Sequence, residues 1–304
     1  MAYALAGSVL MAITGATQSA GAIVPPDVGS PIHVRARLIS EVDHLRPGAP
    51  ARIGVLLRID PQWHVYWDGL NDSGAPVRVR LSLPEGFKAG EMIWPAPRRH
   101  LDRSGFILDH VYEGEVTLIV PVTPPLDAVE GHVAHLKASV EWVACRDACF
   151  VGQADLSLDL PVSVSPFRPT GDSTHFERAL RRVPKAMEAA PIPIQTAWAD
   201  GRLRITVAGA SGLSFYPSAR GRPPSHPIED CQSATDHLTI RFDPQAVGAV
   251  SGVVEVRGSA HGGSGVYRMR VEAPGAVSGI GSGKPDEKAG RPKAADNAGK
   301  PGDQ

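Results

Sequence analysis

Three cysteines in 304 residues are too few to staple two domains, so any pair they form acts locally. A basic excess is missing as well. Lys and Arg total 31 against 32 Asp and Glu, a formal net charge of -1, whereas a nucleic-acid binder would carry a basic face. Aromatics are sparse at 6%. No G-x-S-x-G elbow surrounds any serine, which removes a Ser-His-Asp hydrolase. No glycine-rich cradle accompanies Arg98, Arg99 and His100, so the segment Trp94 to His100 reads as a Pro-rich solvated loop rather than a phosphate site. Nothing calls for a cofactor. What is present is 42% apolar and 21% charged residues, a globular composition. Gly 32 and Pro 28 favour turn-rich β structure, and the length suits two domains.

Residues 1–26 carry no charge. Small residues dominate there, and Ala20-Gly21-Ala22 followed by Pro25-Pro26 fits a signal-peptidase site, although the Lys or Arg that usually precedes it is missing. Gly, Ser, Thr and Gln interrupt the apolar run short of the roughly 20 residues that a span needs. Residues 1–22 are therefore expected to be an export signal, with the mature protein soluble in an oxidising compartment, the periplasm. From 273 to 304 the chain is rich in Gly, Pro, Ala and Lys with almost no bulky apolar residues, and a disordered tail is expected.

Between these ends, apolar and polar residues alternate with period 2. The apolar sets are Ile32 to Leu38, Ile53 to Ile59, Trp63 to Trp67, Val77 to Leu83, Val116 to Val122, Leu136 to Trp142 and Leu156 to Val162. Seven short strands with one apolar face predict an antiparallel β-sandwich over 28–166. Trp63 and Trp67 then belong to its core, with His64 on the opposite face. Phe176, Ala179, Leu180 and Val183 have helical spacing ended by Pro184, so 167–190 is a linker containing a short helix. Weaker alternation at Leu203 to Val207, Leu238 to Phe242, Val254 to Val256 and Tyr267 to Val271 predicts a second, smaller β domain over 191–272.

The strand ending at Val143 runs into Ala144-Cys145-Arg146-Asp147-Ala148-Cys149-Phe150. On a helical turn, residues four apart have Cβ atoms about 5–6 Å apart, and a tight turn brings them to the roughly 3.8 Å that a disulfide prefers. Closing so short a loop stabilises a fold by only about 2 kcal/mol, and the bridge is expected to join no separate strands. Reactivity explains the pair better than stapling does. Arg146 favours a thiolate and Asp147 opposes it. Metal is the competing chemistry: two thiolates plus a histidine hold zinc or copper(I). Only His132 and His135 are near in sequence, there is no second cysteine pair, and methionines number 5, so no metal site is assigned. Copper(I) handling, as a buffer for export or cytochrome assembly, stays as an alternative, beside a redox-inert binding module. Cys231, in the Ile228 to Gln232 loop, reads as a buried or incidental thiol.

The order of these pieces resembles the N-terminal periplasmic region of the DsbD/ScsB thiol:disulfide interchange proteins. The stretches that carry the resemblance are Trp63 to Trp67 with Asp72-Ser73-Gly74, Leu83 to Phe87, Trp94 to Pro97, Tyr112 to Glu115, Val140 to Cys145 through Cys149 to Gly152, and Leu213 to Pro217. The resemblance covers about 30–272. It implies an all-β chain of two immunoglobulin-like sandwiches in which Cys145 and Cys149 relay electrons, with Cys149 the attacking thiol. It also implies an aromatic cap over the pair where Phe106 falls, a membrane-embedded donor fed from cytoplasmic thioredoxin, and periplasmic disulfide partners. Two departures stand out. The three-residue spacing is that of the ScsB-like branch, and the family continues into membrane helices where this chain has its polar tail. A separate donor, or a role confined to partner binding, is therefore expected.

Overall fold

The computed structural model describes residues 33–259 and 264–273. The expected signal at 1–22 and all of the expected tail beyond Ala273 lie outside those residues. Ten strands come first: β1 Val34–Ser40, β2 Ala51–Ile59, β3 His64–Tyr66, β4 Arg78–Ser82, β5 Lys88–Ala89, β6 Arg98–Leu101, β7 Leu108–Tyr112, β8 Glu115–Thr123, β9 Val133–Cys145 and β10 Cys149–Pro161. They form two antiparallel sheets. One runs β1-β2-β8-β5 and the other β10-β9-β3-β7-β6, with β4 also paired to β9. Ile53, Val55 and Leu57 of β2 and Leu118 and Val120 of β8 meet Val65 of β3 and Leu136, Val140 and Trp142 of β9 in one core. Alternation fixes this register, because a one-residue slip would turn the whole apolar set of β9 outward.

The helix expected after the sandwich is α1, Ser173–Leu180. It does more than connect. Phe176 and Ala179 close over Ile39, Leu56 and Ile119 on the outer face of the first sheet. That cover is why β2 is buried along most of its length instead of at every second residue. Gly54 makes the close approach possible, since a Cβ there would lie 2.7 Å from the Thr117 methyl and 3.0 Å from the Phe176 ring.

The remaining strands are β11 Lys185–Ala186, β12 Gln195–Ala199, β13 Arg202–Thr206, β14 Ala210–Pro217, β15 Gln232–Ser233, β16 His237–Arg241, β17 Val250–Ser259 and β18 Gly265–Val271, with a one-turn helix α2 at Pro227–Asp230. Sheets β11-β18-β17-β14-β15 and β12-β13-β16 enclose Leu203, Ile205, Phe215, Ile240 and Val254. The chain is thus mostly β, two pairs of sheets that are antiparallel except where short β11 runs parallel to β18, with a short helix between, as the alternation implied. The pairs of sheets touch. Tyr216 of β14 stands edge-on to Trp67 and His110 at 6.5 and 5.5 Å between ring centroids. The Leu70 N–H donates to the Pro217 carbonyl at 2.9 Å, and Arg182 donates to the Ala96 and Pro97 carbonyls and to Glu255.

Two local expectations are corrected, although Cys231 is the buried thiol that was expected. The segment Trp94 to His100 is no solvated loop: Pro95, Ala96 and Pro97 are buried, Arg98–Leu101 is strand β6, and Arg99 Nη2 donates to the Ile228 carbonyl at 2.8 Å. Its prolines line the contact between the sheet pairs, a tertiary role that composition does not reveal. Cys231 follows helix α2 directly and is not in an open loop; burial pushes its thiol up to about 12, so it stays protonated and inert. Strands β7 and β14 gave no period-2 signal because both are buried almost throughout.

Candidate functional site

Strands β9 and β10 form one long hairpin, and its tip carries the cysteines. Cys145 and Cys149 are direct cross-strand partners with Cα atoms 4.1 Å apart, joined by a disulfide. Of the two geometries open to this spacing, the tight turn is the one adopted. Arg146, Asp147 and Ala148 make it, closed by the Arg146 N–H donating to the Ala148 carbonyl at 3.2 Å. The bridge does join two strands, contrary to expectation. They are consecutive and already paired over 13 residues, so it adds little cross-linking.

The two sulfurs sit in different surroundings. Cys145 is 4% exposed, whereas residues 146 to 149 are all exposed. On the inward side of the sheet, Trp63 stacks on His33 at 3.4 Å and meets Phe150 at 5.7 Å, and the Arg146 guanidinium lies 5.2 Å from the Trp63 ring centre. Arg146 Nε also donates to Asp147 at 2.9 Å. The two charges of the turn therefore pair with each other.

Cys145 itself belongs to the other face. Directly opposite residues of an antiparallel pair share a face, and Cys145 lies opposite His64. Tyr66, Val111 and Val143 complete an apolar floor around Cys145. Over that floor, Ser73 donates from its N–H and hydroxyl to buried Asp109 at 2.9 and 2.6 Å. Gly74, at φ +49, lies so close to the Tyr66 ring that a Cβ would overlap it at 2.0 Å, so only glycine lets the 71–74 turn cover this face. His64 is on the face opposite Trp63, as alternation predicts, but it is buried at 5% exposure and not solvated. Its ring packs against His100 at 4.4 Å and Tyr66 at 5.3 Å.

Phe106 lies on the loop between β6 and β7 and is 82% exposed. Asp102 organises that loop, accepting from the Ser104 hydroxyl and from the Phe106 and Ile107 N–H groups. These bonds hold its carboxyl down to about 2. Arg103 of the same loop comes within 3.8 Å of Asp147 at the hairpin tip. The aromatic ring beside the bridge that the sequence reading did not single out is Phe150, whose signal was only its place after Cys149. His132 and His135 are not brought to the cysteines: His135 is paired with Asp159 near the far end of the hairpin. Among the described residues, no group of three or more His, Cys, Asp and Glu side chains is placed to hold a metal ion. Among them too, no helix is long and apolar enough to cross a membrane.

Residues 35–161 match the family model described as thiol:disulfide interchange protein DsbD, N-terminal. No protein of curated function matches the sequence. Among solved structures, the N-terminal periplasmic domain of ScsB from Proteus mirabilis is 17% identical, with a TM-score of 0.55 over 82% of this chain and 96% of that one. The Neisseria meningitidis DsbD N-terminal domain in its reduced form is 16% identical over 44% of this chain and 90% of that one, with a TM-score of 0.27.

Proposed function

From a domain of the DsbD/ScsB N-terminal type at residues 35–161, we propose that the chain is a periplasmic dithiol–disulfide carrier working through Cys145 and Cys149. One observation carries the reading. The disulfide lies at an exposed hairpin tip and joins a buried residue, Cys145, to an exposed one, Cys149. In the reduced form, the Cys149 thiolate attacks a partner disulfide and forms a mixed disulfide, releasing one partner thiolate. Cys145 then attacks Cys149 Sγ, the internal disulfide closes, and the second partner thiolate leaves. Two electrons and two protons pass to the partner. A membrane-embedded donor returns the carrier to its dithiol state. The division into an export signal at 1–22, a redox sandwich at 28–166, a linker at 167–190 and a second domain at 191–272 belongs to this reading. So does Phe106 as a cap: the Arg103 contact with Asp147 brings its loop to the hairpin tip.

Transfer to a protein disulfide tests the proposal. Reduced protein mixed with an equimolar oxidised thioredoxin-fold protein, quenched with an alkylating agent and weighed by mass spectrometry, is expected to show two free thiols gained by the partner for each internal disulfide formed. A partner that remains oxidised while free dithiothreitol reduces it readily would overturn the carrier role.

A further inference from the structure

His64 is a buried imidazole next to the disulfide whose chemistry the exchange reading leaves unused. It stands opposite Cys145 in the β3–β9 register, so their Cβ atoms are about 4.5–5.5 Å apart on one face of the sheet. Both residues are at least nine-tenths buried. Among the described residues no hydrogen bond involves the His64 ring, although its ring partners His100 and Tyr66 are in van der Waals range. A buried imidazole with a free ring nitrogen beside a buried sulfur has an evident use. Cys145 attacks only as a thiolate, yet its burial disfavours that charge and keeps bulk water from taking the proton.

We propose that the His64 imidazole accepts the Cys145 thiol proton as Cys145 attacks the mixed disulfide on Cys149. This step rests on the exchange reading above. The S–H bond of Cys145 breaks and the proton passes to a ring nitrogen of His64. The Cys145–Cys149 bond forms, the bond from Cys149 to the partner breaks, and the departing partner thiolate takes up the proton. Other charged groups around the pair come from every neighbouring element: His100 on β6, Asp109 and Glu113 on or beside β7, Tyr66 on β3, and Arg146, Asp147 and Arg103 at the tip. Burial, reinforced by His100 and opposed by Asp109, holds the His64 imidazole down at about 4, so it is neutral at physiological pH before the step. A thiolate forming beside it raises that value during the step, because the two titrations are coupled.

Ellman's reagent separates the stages. The reduced protein releases one nitrothiobenzoate as Cys149 is captured and a second as Cys145 closes the bridge. In His64→Phe the second release at pH 7 is expected to slow by about 10²-fold, the usual share of a positioned base, with the first release unchanged within about twofold. His64→Gln, which accepts a hydrogen bond but not a proton, should behave like His64→Phe and serves if that variant does not fold. In both, the second phase should recover only as pH rises above the ordinary thiol range near 8.5, because burial raises the Cys145 thiol. Second-phase pH profiles that match the wild type would overturn the His64 step alone. A wild-type protein that releases no nitrothiobenzoate would overturn the exchange reading together with it. Without any variant, the His64 imidazole followed by NMR should titrate at a different pH in the oxidised and reduced proteins, and identical midpoints would also overturn the step.

Discussion

Reduced Cys145→Ser protein, whose active thiol is Cys149, should react with iodoacetamide on the order of 10²-fold faster at pH 7 than reduced Cys149→Ser protein, whose active thiol is Cys145. The two cysteines are cross-strand neighbours, so the expected difference comes from environment and not from sequence distance. Cys149 sits on the exposed turn, whereas Cys145 is 4% exposed over a floor of Tyr66, Val111 and Val143. Burial blocks the reagent and penalises the thiolate, and about two pK units of penalty already remove a factor of about 10² from the reactive fraction. Cys231 does not obscure the comparison, because it is fully buried and its thiol is pushed up to about 12. The same asymmetry assigns the order of attack. Cys145→Ser should accumulate a mixed disulfide with a partner, since nothing is left to resolve it, while Cys149→Ser should form none. Neither variant should complete two-electron transfer. Equal alkylation rates would contradict the division of labour between the two sulfurs.

Phe176→Ala should destabilise the protein by about 3–5 kcal/mol, the cost of emptying a large aromatic site in a core. Phe176 is 0% exposed and, with Ala179 and the half-buried Leu180 of the same helix, covers Ile39, Leu56 and Ile119. The ring packs directly against Gly54, where a Cβ would come within 3.0 Å of it, and glycine has no side chain to fill the space that the ring leaves. Against a total stability of about 5–15 kcal/mol for a typical domain, such a loss is large, and the urea midpoint should fall accordingly. Arg178→Ala on the same helix is the control. Its guanidinium bonds Glu115 at 2.9 Å but is half exposed, and a surface pair of this kind contributes about 0–1 kcal/mol. A Phe176→Ala cost as small as the control's would mean that the helix does not seal the first sheet.

Legibility in the sequence followed burial on one side. Where a strand has one wet face, as in β4, β9 and β10, alternation marked it plainly. In two strands covered on both faces the period disappears, although β2 and β8 kept theirs under similar cover. Strand β7 is enclosed by its neighbours and the 71–74 turn, and β14 by its own core and the contact with Trp67 and His110. The helix was visible because Phe176 and Ala179 keep helical spacing, yet its function as a cover depends on Gly54 and Ile119, more than 50 residues away in the chain. At the site, the cysteines stood out by spacing alone. Their unequal exposure did not, because it depends on which strand lies beside Cys145. His64, placed by the sequence only on the face opposite Trp63, becomes a neighbour of the disulfide through the β3–β9 register.

The central claim is that the Cys145–Cys149 bond is a working couple and not a staple. Equilibration of the protein in glutathione buffers of graded ratio, with alkylation and mass analysis of each mixture, measures this directly. The account predicts one two-electron transition between about -270 and -120 mV, the span of thiol–disulfide carriers, and its loss in Cys145→Ser and Cys149→Ser. A pair that stays oxidised to potentials more negative than about -300 mV, as structural disulfides do, would contradict it.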